Sequence, residues 1–211
     1  MNKISISGFT LAEILITLAI VGVLVAITIP ALINNIHKME NVTALKKTYE
    51  TLSNVYLLIS AENGGSMITA LSRLDSDTDH EGFSNVFISK MNVAKNCGIK
   101  ETKDTGCYPM YSGNANWSTI VTNDRIVYVF RLTNKNCTDA NASCGVIIVD
   151  VNGAKGSSSL ATERFEFYVT AQGLYPSGYE KTSDYLNSLS CPASQSTYCT
   201  VKVLSSGKID N

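Results

Sequence analysis

The chain divides by pattern before any composition is counted. From Ile14 to His37 there is no Lys, Arg, Asp or Glu, and Ile14–Ile29 reads ILITLAIVGVLVAITI, apolar on every side of a helix drawn through it. Started at Phe9, the run to Ile29 reaches the roughly 20 residues that carry a helix across a bilayer. After Pro30 the pattern becomes one-sided. Leu32, Ile36, Met39, Val42, Leu45, Tyr49, Leu52, Tyr56 and Ile59 recur every three or four residues, with Lys38, Lys46, Lys47, Glu50 and Asn54 between them. That spacing predicts an amphipathic helix. The breaker Asn63-Gly64-Gly65 should end it near Glu62. A helix from Phe9 to Glu62 would be about 80 Å long at 1.5 Å rise per residue. Pro30 has no N–H to donate and should bend or locally melt this helix at the junction of its two halves.

Beyond Gly65 the period shortens. A helix is predicted around Gly82–Ala94. Arg125–Leu132, RIVYVFRL, then places Ile126, Tyr128, Phe130 and Leu132 on one face and Val127, Val129 and Arg131 on the other, the mark of a strand in a one-sided antiparallel sheet. Thr119–Thr122 reads as its hairpin partner, and Gly145–Val151 and Arg164–Val169 as further strands. At least four strands thus follow the amphipathic helix and can cover its apolar stripe, so the fold class is α+β.

Composition sharpens this picture. The 211 residues are 45% hydrophobic and 17% charged with a formal charge of −1, which excludes a disordered chain and argues against a basic nucleic-acid binder. Of 17 basic and 18 acidic residues, only Lys3 and Glu13 precede Lys38, so the chain reads as an anchor followed by a water-soluble domain. With two His, a multi-histidine metal site or histidine-based catalysis has almost no material. All six Cys fall between Cys97 and Cys199, as the close pairs Cys97/Cys107, Cys137/Cys144 and Cys191/Cys199. Six cysteines permit fifteen connectivities; nearest-neighbour pairing is preferred, in an oxidising compartment, each bridge stabilising by about 2.5 kcal/mol. Zinc has no Cys-x-x-Cys knuckle to hold it.

Ser7-Gly8-Phe9-Thr10-Leu11-Ala12-Glu13, after a short leader carrying Lys3 and before the apolar run, resembles the cleavage and methylation site of type IV prepilins and type II secretion pseudopilins. The resemblance covers residues 1 to about 62 in detail and the rest only as a general plan. It implies that a prepilin peptidase cuts after Gly8 and methylates the amine of Phe9, and that Glu13 is the family's glutamate of assembly register. It places Pro30 where many members have a proline. It implies a leader at 1–8, a membrane and filament-core half at 9–30, an amphipathic half at 31–62 and a disulfide-bearing globular domain at 63–211, the long helix packing on a small antiparallel sheet. A secretory signal is the ordinary alternative, but the run exceeds the 7–15 apolar residues of such a segment and has a carboxylate at its start. That carboxylate would cost about 2.5–3.5 kcal/mol inside hydrocarbon and should have a cationic partner, which cleavage would create at the Phe9 amine.

Other chemistry is thin. Asp75-Ser76-Asp77-Thr78-Asp79-His80-Glu81-Gly82 invites a calcium reading, yet His80 stands where an EF-hand loop has Gly and Val86 where it has Glu, so a polar loop capping the next helix is favoured. Asp150-Val151-Asn152-Gly153 reads as a β-turn. No Gly-x-Ser-x-Gly and no phosphate loop occurs. The expectation is therefore a non-enzymatic filament subunit without cofactor or metal. Its partners would be other copies of its kind, a prepilin peptidase and the bacterial cytoplasmic membrane, with nucleic acid expected only if it is a minor subunit. A minor subunit binding DNA, a surface or a secretion substrate is the alternative, and a secreted soluble protein the remaining one.

Overall fold

A computed structural model of the chain describes residues 8, 10–99, 107, 117–138, 142–153, 163–180 and 199–209. These form helix α1 (Leu11–Glu62), short α2 (Met67–Leu71), α3 (His80–Ile88), strands β1 (Val93–Gly98), β2 (Ser118–Thr122), β3 (Val127–Leu132), β4 (Ser143–Asp150), β5 (Arg164–Thr170) and β6 (Leu174–Pro176), and a final helix α4 (Cys199–Ser206). The chain is α+β: a 52-residue N-terminal helix whose later turns pack on a six-stranded sheet. It separates into two compact units, Met1–Met39 and Glu40–Asn211.

In the second unit the sheet is an antiparallel meander with spatial order β1-β2-β3-β4-β5-β6. Alternation of side chains sets its faces. Ile120, Tyr128, Phe130, Ile147, Phe165 and Phe167 enter one core with Val42, Leu45, Leu52, Val55, Tyr56 and Ile59 of α1. Each such side chain contributes about 1.5–3 kcal/mol by leaving water. Tyr49 stacks on Phe167 at 5.7 Å between ring centroids, and the Tyr56 hydroxyl donates to the carbonyls of Thr170 and Ala171 at 3.0 and 3.1 Å. The stripe therefore grips β5 and the bend after it. The helix stops at Glu62, where Gly64 and Gly65 take positive φ.

Helix α3 packs its Phe83 and Phe87 against Phe130 of β3, with centroids 5.9 and 5.5 Å away. A glycine makes this possible: a Cβ on Gly145 of β4 would lie 2.6 Å from the Phe83 ring. Asp79 caps α3 by accepting from the Gly82 N–H at 2.8 Å. Asp77 accepts from the Lys135 N–H at 2.7 Å, and Lys135 Nζ donates to the Leu74 carbonyl at 2.6 Å. The acidic run is thus a cap and a clamp on the β3–β4 connection. After β4, Asp150 Oδ1 accepts from the N–H groups of Asn152 and Gly153 at 3.1 and 2.9 Å, the turn expected there. Gly153 has φ +60°, and a Cβ on it would overlap the Arg125 carbonyl.

Three expectations need correction. The helix expected over Gly82–Ala94 ends at Ile88, because Val93 and the residues after it pair with β2, Val93 opposite Thr122. Long-range pairing overrode a local pattern that either element could satisfy. The sheet is not one-sided at its centre: Val127 and Val129 are buried with Ile148 against Trp117, Val121 and Val146, and the Arg131 guanidinium lies 5.4 Å from the Trp117 ring centroid. Finally, the predicted stripe is buried only from Val42; Leu32, Ile36 and Met39 are 60, 44 and 70% exposed.

Candidate functional site

The first unit is where the chain departs from ordinary soluble packing. Every large apolar side chain from Leu11 to Met39 is exposed, while in the rest of the described chain only Leu57, Leu58 and Ile99 are. Among the described residues this is the helix long and apolar enough to cross a membrane, with a mean hydropathy of 2.7 over its most apolar window and none of that window buried. A helix that is apolar all round is stable only where something apolar surrounds it. Two of its hydroxyls are met internally: that of Thr17 donates to the Ile14 carbonyl at 2.9 Å and that of Thr28 to the Leu24 carbonyl at 3.0 Å. That is the arrangement a hydrocarbon environment demands. The helix continues through Pro30.

Glu13 occupies the first turn. Its Oε2 accepts from the Thr10 backbone N–H at 2.8 Å and from the Thr10 hydroxyl at 2.9 Å, and its own N–H points to Thr10 Oγ1 at 3.3 Å. Thr10-Leu11-Ala12-Glu13 is thereby a capping box, two N-terminal groups satisfied reciprocally. The sequence reading assigns Glu13 the Phe9 amine as partner and misses this one, although Thr followed three residues later by Glu is its ordinary signature. Gly8 is exposed, with open space where a Cβ would stand. Phe9 lies outside the described residues. A cut between Gly8 and Phe9 would leave both members of the capping box on the mature chain.

The cysteines serve the domain. Cys97 at the end of β1 is bridged to Cys107, and Cys137 to Cys144 of β4, with Cα separations of 5.8 and 5.2 Å. Both are local pairs, as expected. Cys199 opens α4 and is also disulfide-bonded; Cys191 lies outside the described residues. Disulfides and one membrane-length helix together point to an anchored chain with an extracytoplasmic domain. No family model matches the chain, and neither the curated proteins nor the solved structures contain a match to it.

Proposed function

We propose that the chain is a structural subunit of a type IV pilus or a type II secretion pseudopilus, held in the bacterial cytoplasmic membrane until its leader is removed and then assembled through its N-terminal helix. The observation that carries this reading is the exposure of every large apolar side chain from Leu11 to Met39 on a helix whose first turn holds Glu13. A lone membrane anchor needs no carboxylate there. A helix that moves from lipid into a bundle of like helices can use one, because head-to-tail contacts that do not close generate filaments and need a fixed axial step.

Removal of the leader frees the amine of Phe9, four residues before Glu13 in the sequence. Inside a bundle that amine is buried, and an unpaired buried charge is costly, so docking is favoured where it meets the Glu13 carboxylate of a neighbouring copy. The capping box supports the role: in the membrane the two Thr10 donors satisfy the carboxylate in the meantime. Other copies of the chain, a prepilin peptidase and the membrane are the partners in this proposal, and the role is structural rather than catalytic.

The test is co-expression with a prepilin peptidase, followed by intact-mass and N-terminal analysis and electron microscopy. A mature chain beginning at methylated Phe9, and filaments, are expected. Glu13→Leu should still be inserted and cleaved but should not assemble by itself. A mature end after Ile29, or normal filaments built of the Glu13→Leu chain alone, would overturn the reading.

A further inference from the structure

A cavity lies in the second unit, against the amphipathic half of α1. It has a volume of about 300 Å³ and is lined by Lys47, Thr48 and Thr51 of α1, the Lys90–Asn92 loop, the Thr122–Asp124 turn and Tyr128 of β3. That is the lower end of the range for small-molecule clefts and about ten times the share of one liquid water.

Its charges are already matched. Lys47 Nζ pairs with Asp124 Oδ2 at 3.0 Å, and Lys90 with Glu62. Burial raises the Asp124 carboxyl, but the Thr122 hydroxyl and Lys47 outweigh it and hold the group below its usual range. Two of the hydroxyls are also engaged: Thr51 donates to the Lys47 carbonyl at 2.9 Å and Thr122 to Asp124 Oδ1. The Thr48 hydroxyl, at the base beside Tyr128, is not. Thr48 is 1% exposed and Tyr128 2%; their hydroxyls lie side by side, yet Thr48 Oγ1 has no hydrogen bond of acceptable geometry. Leaving a buried hydroxyl unmet costs about 1–3 kcal/mol, which a ligand placed between these groups would recover.

We propose that this cavity binds a small, neutral, polyhydroxylated ligand, a monosaccharide unit or a polyol of that size. Matched charge gives no hold on an ion. The lining offers donors and acceptors together: the unmet Thr48 hydroxyl beside that of Tyr128 at the base, carboxamides of Asn92 and Asn123 at the exposed rim, and spare N–H groups on two paired lysines. Each hydroxyl of a sugar is both donor and acceptor, so it matches this mixture, and the ring face of a sugar can lie on the apolar Met91 and Tyr128 surfaces.

The experiment is amide chemical-shift mapping on the full chain, held in a zwitterionic detergent without sugar headgroups, titrated with aldohexoses, their methyl glycosides, glycerol-type polyols, inorganic phosphate and succinate. Saturable shifts confined to Thr48, Lys90–Asn92 and Thr122–Asp124 are expected with one or more neutral ligands, with a Kd in the millimolar range. Free hexose binding with glycosides rejected assigns a free sugar; glycosides binding equally assigns the end of a glycan. Thr48→Val should weaken binding about tenfold. Asn123→Ala, on the exposed rim and so without effect on folding, should weaken it several-fold. No saturable shift with any neutral ligand, shifts with phosphate or succinate instead, or unchanged binding in both variants overturns the proposal.

Discussion

The two halves of α1 are one secondary structure under two different demands. From Leu11 to Met39 the large apolar side chains point in every direction and are exposed, whereas from Val42 to Ile59 a stripe three or four residues apart is buried and the rest is polar or exposed. The lesson is that helix formation and helix placement are separate decisions. Backbone hydrogen bonds form the helix in both halves, but only the second half finds its apolar partners within its own chain; the first must find them in lipid or in other helices.

A large effect should come from breaking the second half's core. Phe130, fully buried between Phe83 and Phe87, should cost about 3–5 kcal/mol as Phe130→Ala. Denaturant unfolding followed by tyrosine fluorescence should report this loss, while partition into membranes stays unchanged; a parallel loss of membrane insertion would mean the halves are not independent. The converse experiment is Ile20→Lys, near the centre of the apolar run. A lysine there should cost about 2.5–3.5 kcal/mol of insertion, read as protein released by carbonate extraction, with domain unfolding unaltered.

A smaller effect isolates the capping box. Thr10→Val removes the hydroxyl that serves Glu13 while keeping the backbone N–H that also serves it. A loss of about 1 kcal/mol in first-turn protection is expected, read by hydrogen exchange at residues 11–14. Unchanged protection would show that the helix start is held by its surroundings and not by Thr10.

The smallest effect is a pH dependence confined to the second unit. His80 Nδ1 accepts the Leu132 N–H at 3.1 Å, tying the start of α3 to β3. A doubly protonated ring cannot accept this bond. Burial and Arg131 lower the His80 pKa, against the opposing pull of Asp79. Because the folded value lies below the unfolded one, this contribution is fully present above about pH 6.5 and is lost as pH falls from there through the folded pKa. His80→Gln should flatten that slope in unfolding titrations; an unchanged slope would assign it to other groups.

Much of this was legible in the residues because it rests on local period. The uncharged run, the three-and-four stripe, Gly64-Gly65 as a stop, alternation in Arg125–Leu132 and the two described local disulfides each need only neighbours in sequence to be read. The candidate site was partly legible: Gly8, Phe9 and Glu13 stood out by motif, but Thr10 as the partner of Glu13 was passed over even though the pair is three residues apart.

What the sequence by itself determined is the division of labour along the chain: an apolar helix that cannot be satisfied in water, joined to a helix with one apolar face and to strands able to cover it. Period alone carries that information, since burial of a repeating face requires no knowledge of its partner. Only the tertiary structure decided that the stripe is buried from Val42 and not from Leu32, that Val93 belongs to a strand paired with Thr122 and not to a helix, that Val127 and Val129 are covered on the sheet's second face, and that Thr48 and Tyr128 meet at a cavity. Each of these depends on groups far apart in sequence whose contact is set by the folded packing, and no local pattern records it.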